Sequence, residues 1–188
     1  KTSPPKNHAA MPYSQISTFM TGLRGEHAVA SQALMFLILT ASRTNEVINA
    51  HWSEIDFELE KWRIPAYRMK SNKDHHVPLS VPAIWILKQM QPTSVNGYLF
   101  PGRRSQKPLS NMAMLNILRR QQMAFTVHGF RSTFRTWAAE KTTIQNDVAE
   151  AALAHTVGSK VVAAYQRGDL FEKRRELMDS WAIFTTKN

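Results

Sequence analysis

At 188 residues the chain is long enough for one well-cored domain, and a 43% hydrophobic share with five Trp and nine Phe excludes an intrinsically disordered protein. Twenty-four Lys and Arg against fourteen Asp and Glu leave a net charge of +10, which suits a polyanionic partner. Ribosomal, membrane-surface and heparin-type binders share that signal. Cysteine is absent, so disulfides, thiolate nucleophiles and cysteine zinc sites are excluded.

The apolar run Ala33 to Leu39 is too short to span a bilayer, and no signal peptide is visible at the start. The chain opens on Lys1, and the expectation is a fragment of something longer. Residues Lys1 to Met11 are basic, contain proline and read as a linker, with one domain over 12–188. Ser14 is placed to cap a helix with an apolar stripe at Ile16, Phe19, Met20 and Leu23, ended by Gly22 and Gly25. From about His27 to Thr40 a second helix is apolar nearly all round, which marks it as central. Thr44 then caps a short helix through Asn45 to Ile48.

The period changes at Ile55. Ile55, Phe57 and Leu59 alternate with Asp56 and Glu58, Trp62 alternates with Ile64, and Val77 and Leu79 form a third short run. This predicts a small antiparallel sheet of three strands with Lys70 in the last connection. Helical sequence resumes at Val81, with Pro82 suited to a first turn. Tyr98 to Pro101 is extended, Gly102 to Lys107 is a basic loop, and Ser110 caps a helix ending in Arg119-Arg120. A last helix, from about residue 170, carries Leu170, Leu177, Met178, Trp181 and Phe184. The fold class is α+β, mainly α, with one small three-stranded sheet.

Between Thr126 and Gly168 the chain concentrates groups that suit phosphate chemistry. On a helix, His128 and Arg131 face the same way, with Arg135 one turn further, while Phe130, Phe134 and Trp137 form a separate stripe. That division lets the aromatics bury while the basic groups face a ligand. Taken singly, each residue also has an ordinary explanation. The basic face can be solvated, His155 can cap a helix C-terminus and Tyr165 can be a half-buried core tyrosine. Arg43 can pair with Glu46, and Lys70 can be a surface lysine.

The joint order decides between these readings. Ala41-Ser42-Arg43-Thr44-Asn45-Glu46-Val47, a hairpin lysine, His128-Gly129-Phe130-Arg131, Leu153-Ala154-His155 and Ala164-Tyr165 together resemble the tyrosine recombinases. Trp52-Ser53-Glu54-Ile55-Asp56, Val77-Pro78-Leu79-Ser80, Tyr98-Leu99-Phe100-Pro101 and Glu172-Lys173-Arg174-Arg175 narrow the resemblance to integrases of temperate phages and genomic islands. It covers essentially the whole chain. By that resemblance Arg43 and Arg131 grip the scissile phosphate, and Lys70 is the lysine between strands two and three. His128 opens the His-x-x-Arg motif, His155 fills the histidine or tryptophan position, Tyr165 is the nucleophile, and Glu46 supports the site. Ala154 stands where many relatives have glycine.

Chemistry suits the roles that the resemblance implies. Guanidiniums donate paired hydrogen bonds to non-bridging oxygens and stabilise added transition-state charge. A tyrosine hydroxyl, with an ordinary pKa of about 10, needs a positive site or a nearby base to attack at neutral pH. A lysine can protonate the departing 5′ oxygen. The 3′-phosphotyrosyl bond retains the energy of the broken linkage, so neither metal nor other cofactor is implied. There is no His-Glu-x-x-His, His75 and His76 point oppositely on a strand, and no phosphate-binding Gly-rich loop is present.

The resemblance further implies duplex DNA as substrate, other recombinase protomers in a tetramer, accessory DNA-bending proteins, no membrane, and a bacterial cytoplasmic setting. The last helix either serves a neighbouring protomer or packs on its own domain. Competing readings are a DNA-binding module without catalysis and a type IB topoisomerase. The six unsubstituted positions argue against the first, and the short length and subgroup motifs against the second.

Overall fold

Every residue from Ser31 to Thr40 is buried, and this makes α2 (Val29–Thr40) the axis of the domain. The computed structural model describes residues 9–91, 97–102, 107–155 and 169–187. Around α2 pack α1 (Ile16–Arg24), α3 (Thr44–Ile48), α4 (Val81–Met90), α5 (Ala113–Arg120), α6 (Gly129–Lys141) and α8 (Phe171–Thr186). The intervening α7 (Asn146–Ala152) lies against α6 and α8. Among the described residues no helix is long and apolar enough to cross a membrane.

The predicted apolar faces are the buried ones. Ile16, Phe19, Met20 and Leu23 turn inward from α1, and Phe130, Phe134 and Trp137 from α6. α1 departs from its expected boundaries. Gln15 and not Ser14 precedes its first residue, a 3-10 turn over Tyr13–Gln15 leads in, and Gly22 lies inside the helix. Ala9 to Met11, the end of the segment expected to be linker, lies against α6. The Thr133 hydroxyl donates to the Met11 carbonyl at 2.6 Å, and Met11 is buried. A Cβ on Gly129 would run into the Ala9 carbonyl oxygen, which explains glycine at that point of His-Gly-Phe-Arg.

The sheet runs β1 (Ile55–Asp56), β2 (Lys61–Ile64) and β3 (His75–Pro78) in that order, antiparallel throughout. β1 is shorter than the alternation from Ile55 to Leu59 suggested. The chain turns after Asp56, where the Asp56 carboxylate accepts from the Leu59 amide at 2.8 Å, and Leu59 is left exposed. Ile64 pairs with His75 and Arg63 with His76, so the two histidines occupy opposite faces.

α8 packs on its own domain. Leu177, Met178 and Trp181 are buried, and the Trp181 indole N–H donates to the Ile38 carbonyl at 2.8 Å. Trp181 also lies 4.9 Å from Trp137 and 5.5 Å from Phe134 between ring centroids. Removing such a side chain typically costs about 3–5 kcal/mol, so the α6–α8 contact is a substantial part of the core.

Candidate active site

Two helix ends and two helix starts build the site. α2 stops at Ala41, which takes a left-handed conformation (φ 49°) and redirects the chain. Arg43 then sits immediately before α3. Its backbone N–H donates to Glu46 Oε2 at 2.7 Å and its Nη1 to Glu46 Oε1 at 2.7 Å. Glu46 therefore satisfies an orphan amide and aims the guanidinium at once. Thr44 is the first helical residue and not the cap that the sequence suggested.

Arg131 rises from the first turn of α6 and is only 4% exposed. Its Nη1 donates to the Ala41 carbonyl, and its Nη2 to the Leu153 carbonyl at 2.6 Å. These oxygens belong to the C-terminal ends of α2 and α7, where carbonyls lack helical partners and carry partial negative charge. Burial and the Arg43 guanidinium beside it pull the Arg131 pKa down to about 10, against the opposing charges of Glu46 and Glu150. Arg131 thus remains a cation at neutral pH, held by helix ends and, among the described residues, by no direct carboxylate bond.

α7 ends in a Schellman-type turn. The Ala154 amide donates to the Ala151 carbonyl and the His155 amide to the Glu150 carbonyl, both at 3.0 Å. Ala154 has φ 49°, the conformation that favours glycine, so the glycine that the family resemblance implies here and the alanine present are two solutions to one turn. The turn places His155 Nε2 at 3.2 Å from Arg131 Nη2. Arg43 Nη2 reaches the Leu153 and Ala154 carbonyls, each at 3.4 Å.

Arg43, Arg131 and His155 are therefore joined through one turn of backbone. His128, exposed just before α6, lines the same pocket with Arg131, Ser132, Arg135, Leu153 and His155. Lys70 lies apart from these contacts, exposed in the connection between β2 and β3 as the sequence indicated. Tyr165 lies outside the described residues. Arg135 lines the same pocket and at the same time bonds Glu150 and Asn146.

Sequence reading missed three contributors. Glu150, five residues before His155, meets His155 Nδ1 at 2.8 Å; burial raises its pKa, but bonds from Arg135 and His155 outweigh that and hold it below the usual carboxylate range. Asp169 and Arg174 tie the start of α8 to the sheet. Arg174 Nε donates to the Asp169 carbonyl at 2.7 Å, its Nη1 donates to the His76 carbonyl, and Asp169 Oδ2 lies 3.1 Å from His76 Nδ1. An arginine within a charged run gives no sign in sequence that it will be 1% exposed.

The fold is a mainly helical domain with a small antiparallel sheet, and it carries a basic pocket between the start of α6 and the end of α7. The model of the phage integrase family matches residues 10–169, and the chain belongs to that family. It is 37% identical over 183 residues to prophage integrase IntA of Escherichia coli (strain K12), covering 94% of this chain and 44% of that protein. The chain thus spans less than half the length of that relative. Among solved structures, an integrase from mycobacterium phage Brujita superposes with a TM-score of 0.71 at 17% identity, covering 100% of this chain and 63% of that one. A lambda integrase(75–356) dimer bound to a COC′ core site gives 0.63 at 15% identity, covering 84% and 61%.

Proposed function

We propose that this chain is the catalytic domain of a site-specific DNA recombinase, which cleaves and rejoins DNA through a 3′-phosphotyrosyl intermediate to integrate or excise a mobile element. The observation that carries the reading is the joint anchoring of Arg43 and Arg131 on the Leu153 carbonyl, with His155 Nε2 at 3.2 Å from the second guanidinium. Arg131 and two imidazoles line one pocket, and Arg43 is tied to its Leu153 wall, a set that suits a phosphodiester whose non-bridging oxygens gain charge during attack. Their positions are set before substrate arrives, so little reorganisation is needed in the transition state.

In this reading Arg43 and Arg131 clamp the scissile phosphate, and His128 and His155 donate to it or move protons beside it. The Tyr165 oxygen attacks phosphorus, the bond to the 5′ oxygen breaks, and Lys70 passes a proton to that leaving group. Attack by a 5′ hydroxyl from another strand reverses the step, releasing tyrosine and restoring a phosphodiester. The partners are duplex DNA, further protomers working as a tetramer, and accessory DNA-bending proteins. Binding of a related lambda integrase dimer to a core site supports duplex DNA as the substrate.

The experiment is a nicked suicide substrate that loses its 5′ end after cleavage, incubated with the full-length protein and with this domain. A covalent protein–DNA band that survives denaturation is expected from wild type and absent from Tyr165→Phe. An equal band from the variant removes Tyr165 as the nucleophile. No band from either wild-type protein, with DNA binding intact, would favour a binding module.

A further inference from the structure

Glu150 touches His155 at two points. Its carbonyl accepts from the His155 amide at 3.0 Å, and its Oε2 lies 2.8 Å from the same residue's Nδ1. The other carboxylate oxygen accepts from Arg135 Nε at 2.5 Å, and Arg135 also donates to Asn146 Oδ1 at the start of α7. One helix thus positions the histidine through both its backbone and a braced carboxylate.

These contacts bear on where the proton of the neutral imidazole resides. An ionised carboxylate only accepts, so the hydrogen between Glu150 and His155 belongs to Nδ1. A guanidinium only donates, so Nε2, facing Arg131 Nη2 at 3.2 Å, presents its lone pair.

We infer that Glu150 is a positioning residue, which holds His155 as its Nδ1–H tautomer with Nε2 aimed at Arg131 and the phosphate pocket. Arg135 braces the second oxygen of Glu150, so the arginine one turn beyond the clamp acts on the protein's own carboxylate. Without Glu150, the imidazole is free to carry its proton on Nε2. That would set donor against donor at Arg131 and turn the clamp out of alignment. The catalytic consequence rests on the recombinase reading; the tautomer does not. Carboxylate–imidazole pairs of this kind orient reactive histidines in other settings, where loss of the outer partner costs about ten- to a hundredfold in activity.

The test is nitrogen-15 NMR of the histidine-labelled, DNA-free chain above pH 7.5, with the His155 signals assigned by His155→Gln. Wild type should carry its His155 proton on Nδ1, and Glu150→Ala should move it largely to Nε2 while cleavage of the suicide substrate falls about ten- to a hundredfold. A salt bridge that merely stabilised α7 would leave the tautomer unchanged, and that result would overturn the inference. An Nε2–H signal in the wild type would overturn it without any variant, so the test survives a Glu150→Ala protein that does not fold. If the tautomer responds as expected but wild type never cleaves, the positioning stands and the recombinase reading fails.

Discussion

Arg131 Nη2 donates to the Leu153 carbonyl at 2.6 Å, joining the start of α6 to the end of α7. This bond, with that to Ala41, lets a guanidinium remain charged while 4% exposed. Arg131→Ala takes the donor from the Ala41 carbonyl and leaves the Leu153 carbonyl with the longer 3.4 Å bond from Arg43, at about 1–3 kcal/mol for a carbonyl left unsatisfied. Arg131→Lys keeps a charge but not the planar fork. Its thermal midpoint should fall less than that of Arg131→Ala, while cleavage should drop about a hundred- to a thousandfold. Melting curves and covalent-complex yield measure the two effects separately.

His75 sets the acid side of stability. Burial, then Arg174, Arg43 and Arg131, push its pKa from 6.5 to about 4, against the pull of Glu46. The folded state therefore binds fewer protons than the unfolded state between those values. Stability is fully present above about pH 6.5 and is lost as pH falls toward 4, by on the order of 2–3 kcal/mol. Asp74 and Glu150, both held below the ordinary carboxylate range, add losses at lower pH. Denaturant titrations at stepped pH should show a shallower decline between pH 6.5 and 5 for His75→Asn than for wild type.

Ala154→Gly should stabilise slightly. The left-handed conformation costs alanine about 1–2 kcal/mol, and the added freedom of glycine in the unfolded chain returns about 0.4–1 kcal/mol. The expected net gain is about 0.5 kcal/mol, or one to two degrees in melting temperature for a chain of this size. Calorimetry of the single variant checks it, and cleavage should be unchanged within about twofold because the backbone path is the same.

Arg174→Ala should release α8 from β3. It removes a 1% exposed guanidinium from the His76 carbonyl and from Asp169, whose carboxylate is half exposed, so the polar cost is about 1–3 kcal/mol for the carbonyl left without this donor. Amide exchange should accelerate first in α8 and β3, with α2 remaining the most protected helix.

The amphipathic stripes of α1 and α6 and the unbroken apolar run of α2 were legible because burial leaves a periodic trace. Arg43, Arg131 and His155 were legible as candidates through a resemblance in motif order, and the structure brings these three to one turn of backbone, while Lys70 is exposed in the β2–β3 connection and Tyr165 lies outside the described residues. Partners set by tertiary contact left no such trace. Nothing in the sequence distinguishes Glu150, which braces His155, from Glu172, which is exposed on α8. Nor does alternation reveal that β1 ends at Asp56, because a side-chain-to-backbone bond to Leu59 competes with the ladder. The charge run around Arg174 carried no sign of burial, yet that arginine is among the most buried large side chains.

The chain has four tyrosines, and Tyr67, 82% exposed in the same β2–β3 connection as Lys70, is the natural rival to Tyr165. The most direct measurement is therefore mass-spectrometric mapping of the covalent adduct after suicide-substrate cleavage and proteolysis. The phosphoryl-linked nucleotide should be found on the peptide containing Tyr165, attached through its 3′ phosphate. A nucleotide on Tyr67, Tyr13 or Tyr98, or a 5′ linkage on any of them, would contradict the assignment of this pocket and its nucleophile.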